Sequence, residues 1–410
     1  MLKEQDPEIY AGVQNELHRQ EFVLNMIPSE NYCSKAVMEA CGSVLMNKYS
    51  EGYAHKRYYQ GNAYVDDVED IAIARAKKLF GCDHVNVQPY SGSPANQAVY
   101  LAFLEPGDPF LGMDLSCGGH LTHGSPVNFS GKWFKATTYG VDKKTQLLDM
   151  DEIRALALKV KPKMIISGLT AYPRKIDFEA FGKIAKEVGA IHLADISHIA
   201  GLIAAGVHPS PVDCADVVMT TTHKTLRGPR GAILMCKEEH AKAIDKAVFP
   251  GLQGGPHDNT TAGKAVTFKE ALTPEFKEYS KQVVVNAKVL AETLVDEGIT
   301  LVTGGTDNHL ILIDLLSFGV GMGKAAAVAL EEAGICTNCN SVPYDPSTPF
   351  KPSGVRIGTP SLTTRGMKEK EMIQIGKWMA SVIKDMDNAA LKGKIRGEIE
   401  VLCKQYPVYG

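Results

Sequence analysis

Short apolar runs alternate along this 410-residue chain with longer stretches of helical period. That alternation points to an α/β sheet with helices on both faces. The spacing predicts a helix or arm over 8–22 and a helix over 65–80. The second carries its acids early and its lysines late, as suits a helix dipole, with Gly81 as its stop. A short strand at Asn86–Val87 leads through the turn SGSPAN into a helix over 94–104. Strand Met164–Ser167, helix Phe178–Val188 and strands over 190–194, Val217–Met219 and Gly231–Cys236 continue the pattern. Near Ala271-Leu272-Thr273-Pro274 the character shifts to a long helix over 274–297, then a strand at Leu310–Leu315 and further α/β pattern. A chain of this length favours two domains. The boundary falls near 272, with an arm and large domain over 1–272 and a small domain over 273–410. No internal repeat or low-complexity tract interrupts it.

Composition excludes several classes of function. A formal net charge of −3 provides no basic footprint for nucleic acid. No window approaches the roughly 20 apolar residues of a membrane span. The N-terminus, acidic and helical in period, shows no secretory or organelle address, so a cytoplasmic location is expected. Nine scattered cysteines fit reduced thiols. Cys336 and Cys339 form a lone C-x-x-C, read as incidental structural cysteines. A redox pair is the alternative, and a zinc site would want a second pair or histidines at metal spacing. No metal site is expected.

Several segments carry chemistry. In DVVMTTTHKTLRGPRG (216–231) a buried strand runs into three threonines, then His223, Lys224 and a tight turn. A lysine just past a strand end can enter the crevice of an open α/β sheet and form a Schiff base with a carbonyl cofactor. A lysine after a strand is more often a solvated loop residue than a nucleophile. Asp195 ends the apolar run 190–194, where a carboxylate is costly unless paired. It either caps a helix over 196–205 or pairs with a protonated pyridine nitrogen. Ser91-Gly92-Ser93, between a strand and a helix, is either a capped turn or an anion site. His120, among the glycines of GGHLTHG, is a loop histidine or a ring laid flat on a ligand. Glu51, in YSEGYAHKRYY, is a surface glutamate or a carboxyl partly desolvated by Tyr49, Tyr53, Tyr58 and Tyr59 and suited to proton exchange. Arg356, in VRIGTP, offers the bidentate guanidinium that a substrate carboxylate needs.

THKTLRGPRG resembles the cofactor-lysine segment of the serine hydroxymethyltransferase family. So do IPSENY (27–32), NKYSEGYAHKRYYQG (47–61), SGSPAN (91–96), GGHLTHGSPVNFSG (118–131), ADISHIAGLIAAG (194–206), FPGLQGGP (249–256), GGTDNHL (304–310) and VRIGTP (355–360). The resemblance covers nearly the whole chain, in order. It implies a fold type I pyridoxal phosphate enzyme with a mostly parallel seven-stranded sheet and a smaller C-terminal α/β domain. It implies reversible transfer of the serine hydroxymethyl carbon to tetrahydrofolate, giving glycine and 5,10-methylenetetrahydrofolate, through an external aldimine and a quinonoid.

The resemblance also implies roles for residues. Lys224 holds pyridoxal phosphate, beside Thr222, His223 and Arg230. Gly92 and Ser93 take its phosphate, as do Tyr49 and Gly255, next to Gly254, of a neighbouring subunit. His120 stacks on the pyridine ring, with His123 close by. Asp195 pairs with the ring nitrogen, and His198 and Thr170 lie near the cofactor. Thr170 stands where many relatives have serine, and the hydroxyl survives. Arg356 clamps the substrate carboxylate with Ser29 and His198 assisting. Glu51 acts as acid/base, and Tyr59 borders the substrate across a homodimer, possibly within a tetramer. Leu115, Leu121 and Asn340 lie where a folate, or a modified pterin, binds. An α-methylserine hydroxymethyltransferase and a β-hydroxy amino acid aldolase would use the same cofactor residues. An RNA-binding scaffold on an inactive fold is opposed by the unbroken set Lys224, Asp195, His120, Arg356 and Glu51.

Overall fold

The computed structural model describes residues 1–409. Backbone contacts divide the chain into two compact units, Cys33–Lys281 and Met1–Tyr32 with Gln282–Gly410. A boundary near 272 leaves residues 1–32 with the large domain, whereas the contacts group them with the C-terminal stretch. The reason is local pairing. Leu24–Asn25 lies in a parallel ladder with Ile335–Cys336, and the Gly358 N–H donates to Met26 O at 2.8 Å. Arg365, buried, adds a staple: it donates to the carbonyls of Glu21 and Val23 and to those of Cys403 and Tyr406.

The unit Cys33–Lys281 is built on a seven-stranded sheet. Its strands are β1 (His84–Asn86), β2 (Pro109–Met113), β3 (Lys135–Tyr139), β4 (Met164–Gly168), β5 (Ile191–Asp195), β6 (Val217–Thr221) and β7 (Ala232–Cys236). They lie in the order β1-β7-β6-β5-β4-β2-β3. Only the pairings of β7, with β1 and with β6, are antiparallel. The expected mostly parallel sheet is therefore present. β4, β6 and β7 are buried at every position, which is why they read as unbroken apolar runs. β2 and β3 escape a reading of the sequence. PFLGM holds a proline and a glycine, and KATTY is an edge strand with only Tyr139 buried.

Helices cover both faces. α1 (Ala63–Phe80) ends at Gly81 in the left-handed region, φ +71°. α2 (Gly92–Phe103) buries Ala95, Ala98, Val99 and Tyr100 in one core with Phe110, Ile166, Leu193, Val217 and Leu234. Each such large side chain contributes about 1.5–3 kcal/mol. α3 (Phe178–Val188) buries Phe178, Phe181 and Ile184, and the Asp177 carboxylate accepts from the Ala180 N–H at its start. α4 (Asp258–Ala271) has no counterpart in the sequence expectations; it contacts α1, and Arg75 donates to Ala265 O at 2.8 Å. α5 (Pro274–Asp296) is the long helix expected over 274–297 and runs through the division at 281.

The other unit holds a three-stranded antiparallel sheet of β8 (Leu310–Asp314), β9 (Asn338–Asn340) and β10 (Gly354–Gly358), with β10 central. Ile311, Ile313, Val355 and Ile357 form its core with Met372, Ile375 and Met379 of the helix Glu369–Lys384.

Candidate active site

The carboxyl ends of β1, β2, β4, β5 and β6 face one edge of the large sheet, where open α/β sheets bind ligands. Most candidate residues of this unit gather in the turns that leave that edge. β6 ends at Thr221 and must reverse into β7 within ten residues, 222–231. Thr222 closes the turn from both sides. Its N–H donates to Gly231 O (3.0 Å), its hydroxyl to Pro229 O (2.6 Å), and its carbonyl accepts from the Gly228 N–H (2.7 Å). Lys224 sits inside this turn, only 9% exposed. The Thr225 hydroxyl donates to His198 O (3.0 Å) and accepts from the Gly201 N–H (2.9 Å), so the lysine turn is pinned to the segment after β5. Arg227 adopts φ +59°, and its guanidinium lies 4.1 Å over the Tyr279 ring.

Arg230 donates to His223 Nε2 at 3.1 Å, which leaves the imidazole proton on Nδ1. Burial, followed by the charges of Lys224 and Arg230, pulls His223 down to about 3, so the ring is neutral. Its Nδ1 is buried without a partner among the described residues, as is Thr221 Oγ1 at the end of β6. Unpaired buried polar atoms are costly, and these two mark a place for a polar ligand.

Asp195 is the last residue of β5 and 5% exposed. The helix after it spans only Ala200–Ala204, with Ile199 at its N-cap. Asp195 is therefore not the helix cap, and His198 lies in the turn before the helix rather than in its first turn. Three donors converge on the carboxylate: Asn96 Nδ2 and His123 Nε2 on Oδ2, and the Ser197 N–H on Oδ1, each at 3.1 Å. Burial opposes the charge, but the hydrogen bond and electrostatic attraction of His123, the electrostatic attraction of His120 and the Ser197 contact outweigh it and hold the carboxyl well below its usual range. His123 Nδ1 accepts from the His120 N–H at 3.2 Å, which puts the ring proton on Nε2, facing Asp195.

The same network sets His120. Asn96 gives its second amide hydrogen to Thr122 Oγ1 (2.8 Å), and Thr122 Oγ1 lies 2.8 Å from His120 Nδ1. Asn96 and Thr122 join the candidate site through these contacts, and the sequence reading misses both. The available signal is an asparagine one turn into an apolar helix, where a short polar side chain competes with the backbone unless a partner holds it. Gly118 and Gly119 let the loop fold back: a Cβ on Gly119 would lie 2.0 Å from Met113 O. Gly118 O accepts from the Thr170 N–H at 2.7 Å, bringing Thr170 beside the His120 loop. Leu115 and Leu121 stand 37% and 43% exposed around this loop.

Ser91 occupies the N-cap of α2 but makes no side-chain cap, so the turn is not an ordinary capped one. The first-turn N–H groups, including those of Gly92 and Ser93, need another acceptor. A Cβ on Gly92 would lie 2.8 Å from Thr221 Cγ2, so the helix start and the end of β6 touch.

Glu51 is half-buried beside Tyr49, whose hydroxyl donates to its carboxylate at 3.3 Å. Tyr49 packs on Tyr59, ring centroids 5.0 Å apart, and a Cβ on Gly255 would meet the Tyr49 ring at 3.1 Å. Tyr53 and Tyr58, expected around Glu51, turn instead to Phe249. Arg57 fixes this loop by donating to Ser50 O and Gly52 O while pairing with Asp66 and Glu69.

In the other unit Arg356 lies on β10, 7% exposed, with Nε donating to Asn338 Oδ1 at 3.2 Å. Burial pulls its guanidinium down to about 10. A Cβ on Gly358, two residues on and on the same face, would lie 2.5 Å from Pro28 Cβ. The segment carrying Ser29 thus packs against the strand of Arg356. Asn340, on β9, pairs with Gly354. Cys336 and Cys339 are free thiols on separate short strands, and Arg19 contacts the Cys336 sulfur at 3.6 Å.

A paired buried carboxylate, a buried lysine in a closed turn, an uncapped helix start and two partnerless polar atoms fit pyridoxal phosphate, whose aldehyde, ring nitrogen and phosphate need such groups. Comparison with known proteins agrees. A family model described as serine hydroxymethyltransferase matches residues 2–379. A protein of Desulfotalea psychrophila named serine hydroxymethyltransferase is 57% identical over 409 residues, covering 100% of this chain and 96% of its own. Proteins of the same name from Acidothermus cellulolyticus and Sorangium cellulosum are 56% and 57% identical, covering 99% and 100% of this chain and 96% of each relative. The chain belongs to the serine hydroxymethyltransferase family, fold type I pyridoxal phosphate transferases that interconvert serine and glycine with tetrahydrofolate.

Proposed function

We propose that this chain catalyses reversible transfer of the serine hydroxymethyl carbon to tetrahydrofolate, with the work divided among the residues gathered at the sheet edge and on β10. The supporting observation is Asp195: a buried carboxylate kept charged by three donors, one strand away from a buried lysine. When bound, pyridoxal phosphate supplies an electron sink for breaking bonds at the amino acid Cα. Lys224 would hold its aldehyde carbon, with Thr222 and His223 shaping the turn. Gly92 and Ser93 would donate their N–H groups to its phosphate. Asp195 would pair with the ring nitrogen, where a charged acceptor favours the protonated form. His120, oriented through Thr122 and Asn96, would lie on the ring face, with Thr170 and His198 at its edge.

Arg356 binds the substrate carboxylate through two parallel N–H donors, assisted by Ser29. Glu51 exchanges a proton with the substrate hydroxyl. Leu115, Leu121 and Asn340 would contact the pterin. Tyr49 and Tyr59, 54% and 47% exposed, form with Glu51 and Gly255 a patch suited to completing the site of a second copy in a homodimer. The free cysteines suit a reducing, cytoplasmic compartment. Among the described residues no helix is long and apolar enough to cross a membrane.

The test is an absorbance spectrum of the protein with pyridoxal phosphate, then with glycine, then with glycine and tetrahydrofolate. A long-wavelength band that appears strongly only when tetrahydrofolate joins glycine is the expected result. A cofactor-bound protein indifferent to tetrahydrofolate, active on threonine or D-α-methylserine instead, would overturn the folate assignment. Failure to bind pyridoxal phosphate would overturn the site. Lys224→Ala should abolish multiple turnover.

A further inference from the structure

Lys264 lies mid-way along α4, 2% exposed, with no carboxylate among the described residues in hydrogen-bond contact. Its Nζ donates to three backbone carbonyls: Val87 O at 2.6 Å, Ala232 O at 2.9 Å and Pro89 O at 3.1 Å. Burial pulls the ammonium down to about 7, while Glu69 and Cys41 push it up. The acceptors side with the charged form, because a neutral amine has two N–H bonds for three carbonyls. A buried charge is expensive, so its location calls for a reason.

The three carbonyls flank two turns of the candidate site. Val87 and Pro89 lead directly into Ser91-Gly92-Ser93. Ala232 is the first residue after the turn that carries Lys224, and a Cβ on Gly231 would lie 2.5 Å from Lys264 Cε. Gln253 completes the hold on the first turn, donating to Gln88 O and accepting from the Tyr90 N–H, both at 3.0 Å. Every carbonyl from Val87 to Pro89 is thereby fixed.

We propose that Lys264 is a positioning residue of the cofactor site, its ammonium setting the separation between the phosphate-binding turn and the lysine turn so that both ends of one ligand are gripped at once. The inference rests on the pyridoxal phosphate reading of the site. Its signature is linkage: a ligand that spans both turns gains from their fixed separation, and a ligand that engages only one does not.

The experiment compares the wild-type apoprotein with Lys264→Gln, which shortens the side chain and leaves two donors. A second variant, Gly231→Ala, keeps the ammonium and crowds it. Dissociation constants for pyridoxal phosphate and for pyridoxal, which lacks the phosphate, are measured by absorbance titration. Amide hydrogen exchange is followed over 87–93 and 222–232. Affinity for pyridoxal phosphate should fall at least about tenfold and that for pyridoxal by less than about threefold, with faster exchange in both turns. Equal weakening of both ligands, or unchanged pyridoxal phosphate affinity, would overturn the proposal. If neither variant folds, the lysine is a support of the fold and the positioning claim falls. A wild-type protein that does not bind pyridoxal phosphate defeats the cofactor reading separately, while exchange in the two turns still reports on the clamp.

Discussion

Asp195→Asn keeps the volume of the side chain and removes its charge, and the surrounding donors decide the consequence. Asn96 Nδ2 and His123 Nε2 both point at Oδ2, and the Ser197 N–H points at Oδ1. An asparagine with its oxygen at the Oδ2 position keeps the first two and sets its NH2 against the Ser197 N–H. The flipped amide faces two donors with its NH2. The better orientation still leaves one buried donor unsatisfied, a cost of about 1–3 kcal/mol in stability. The effect on catalysis is larger. A charged acceptor at the ring nitrogen is lost, worth roughly 1.5–3 kcal/mol as a hydrogen bond alone, or about 10–100-fold in rate. In a site this buried the electrostatic part adds to that, so kcat should fall at least about 100-fold. The assay is kcat at saturating serine and tetrahydrofolate, with cofactor occupancy read from absorbance and folding from near-UV circular dichroism. A folded, cofactor-loaded variant with kcat within about threefold of wild type would refute the argument.

Other expectations rest on the same geometry. His192, 1% exposed on β5, has both ring nitrogens engaged: Nδ1 donates to Cys214 O and Nε2 accepts from the Ser167 hydroxyl. Burial pulls it from 6.5 to about 4, so between those values the unfolded chain binds more protons. Stability should therefore fall as pH drops through that window, by about 2 kcal/mol at pH 5, and denaturation of His192→Gln should show a shallower slope there; parallel curves would contradict it. Gly119→Ala places a Cβ 2.0 Å from Met113 O, so the backbone must move and carry His120 with it. A loss of about 3 kcal/mol in chemical denaturation is expected, and a variant as stable as wild type would show that the loop yields. Arg356→Lys replaces a fork by a point charge and should raise KM for serine at least about tenfold with cofactor affinity unchanged.

Much of the fold is legible locally. β4, β6 and β7 read correctly because strands buried on both faces must be apolar throughout. α1 reads correctly because its charge order and Gly81 are signals carried within the helix itself. β3 is invisible because an edge strand buries little, and α4 because its buried face is partly polar, with Asp258, Thr261, Lys264 and Thr267 inward. Lys224 and Asp195 stand out as candidates from their places at strand ends. Whether Asp195 caps a helix does not emerge the same way, because a carboxylate before a polar turn looks alike in both cases.

The sequence by itself determined the α/β class, the two strand-end residues and, through long motifs in order, the family. Tertiary structure alone decided that Asn96, Thr122 and His123 make one network with Asp195 and His120, and that Lys264 bridges two turns. Those partners are separated by up to 177 positions in the chain. Hydrogen-bond direction and burial depend on distance in space, and neither periodicity nor residue type encodes which distant carbonyl a lysine will meet.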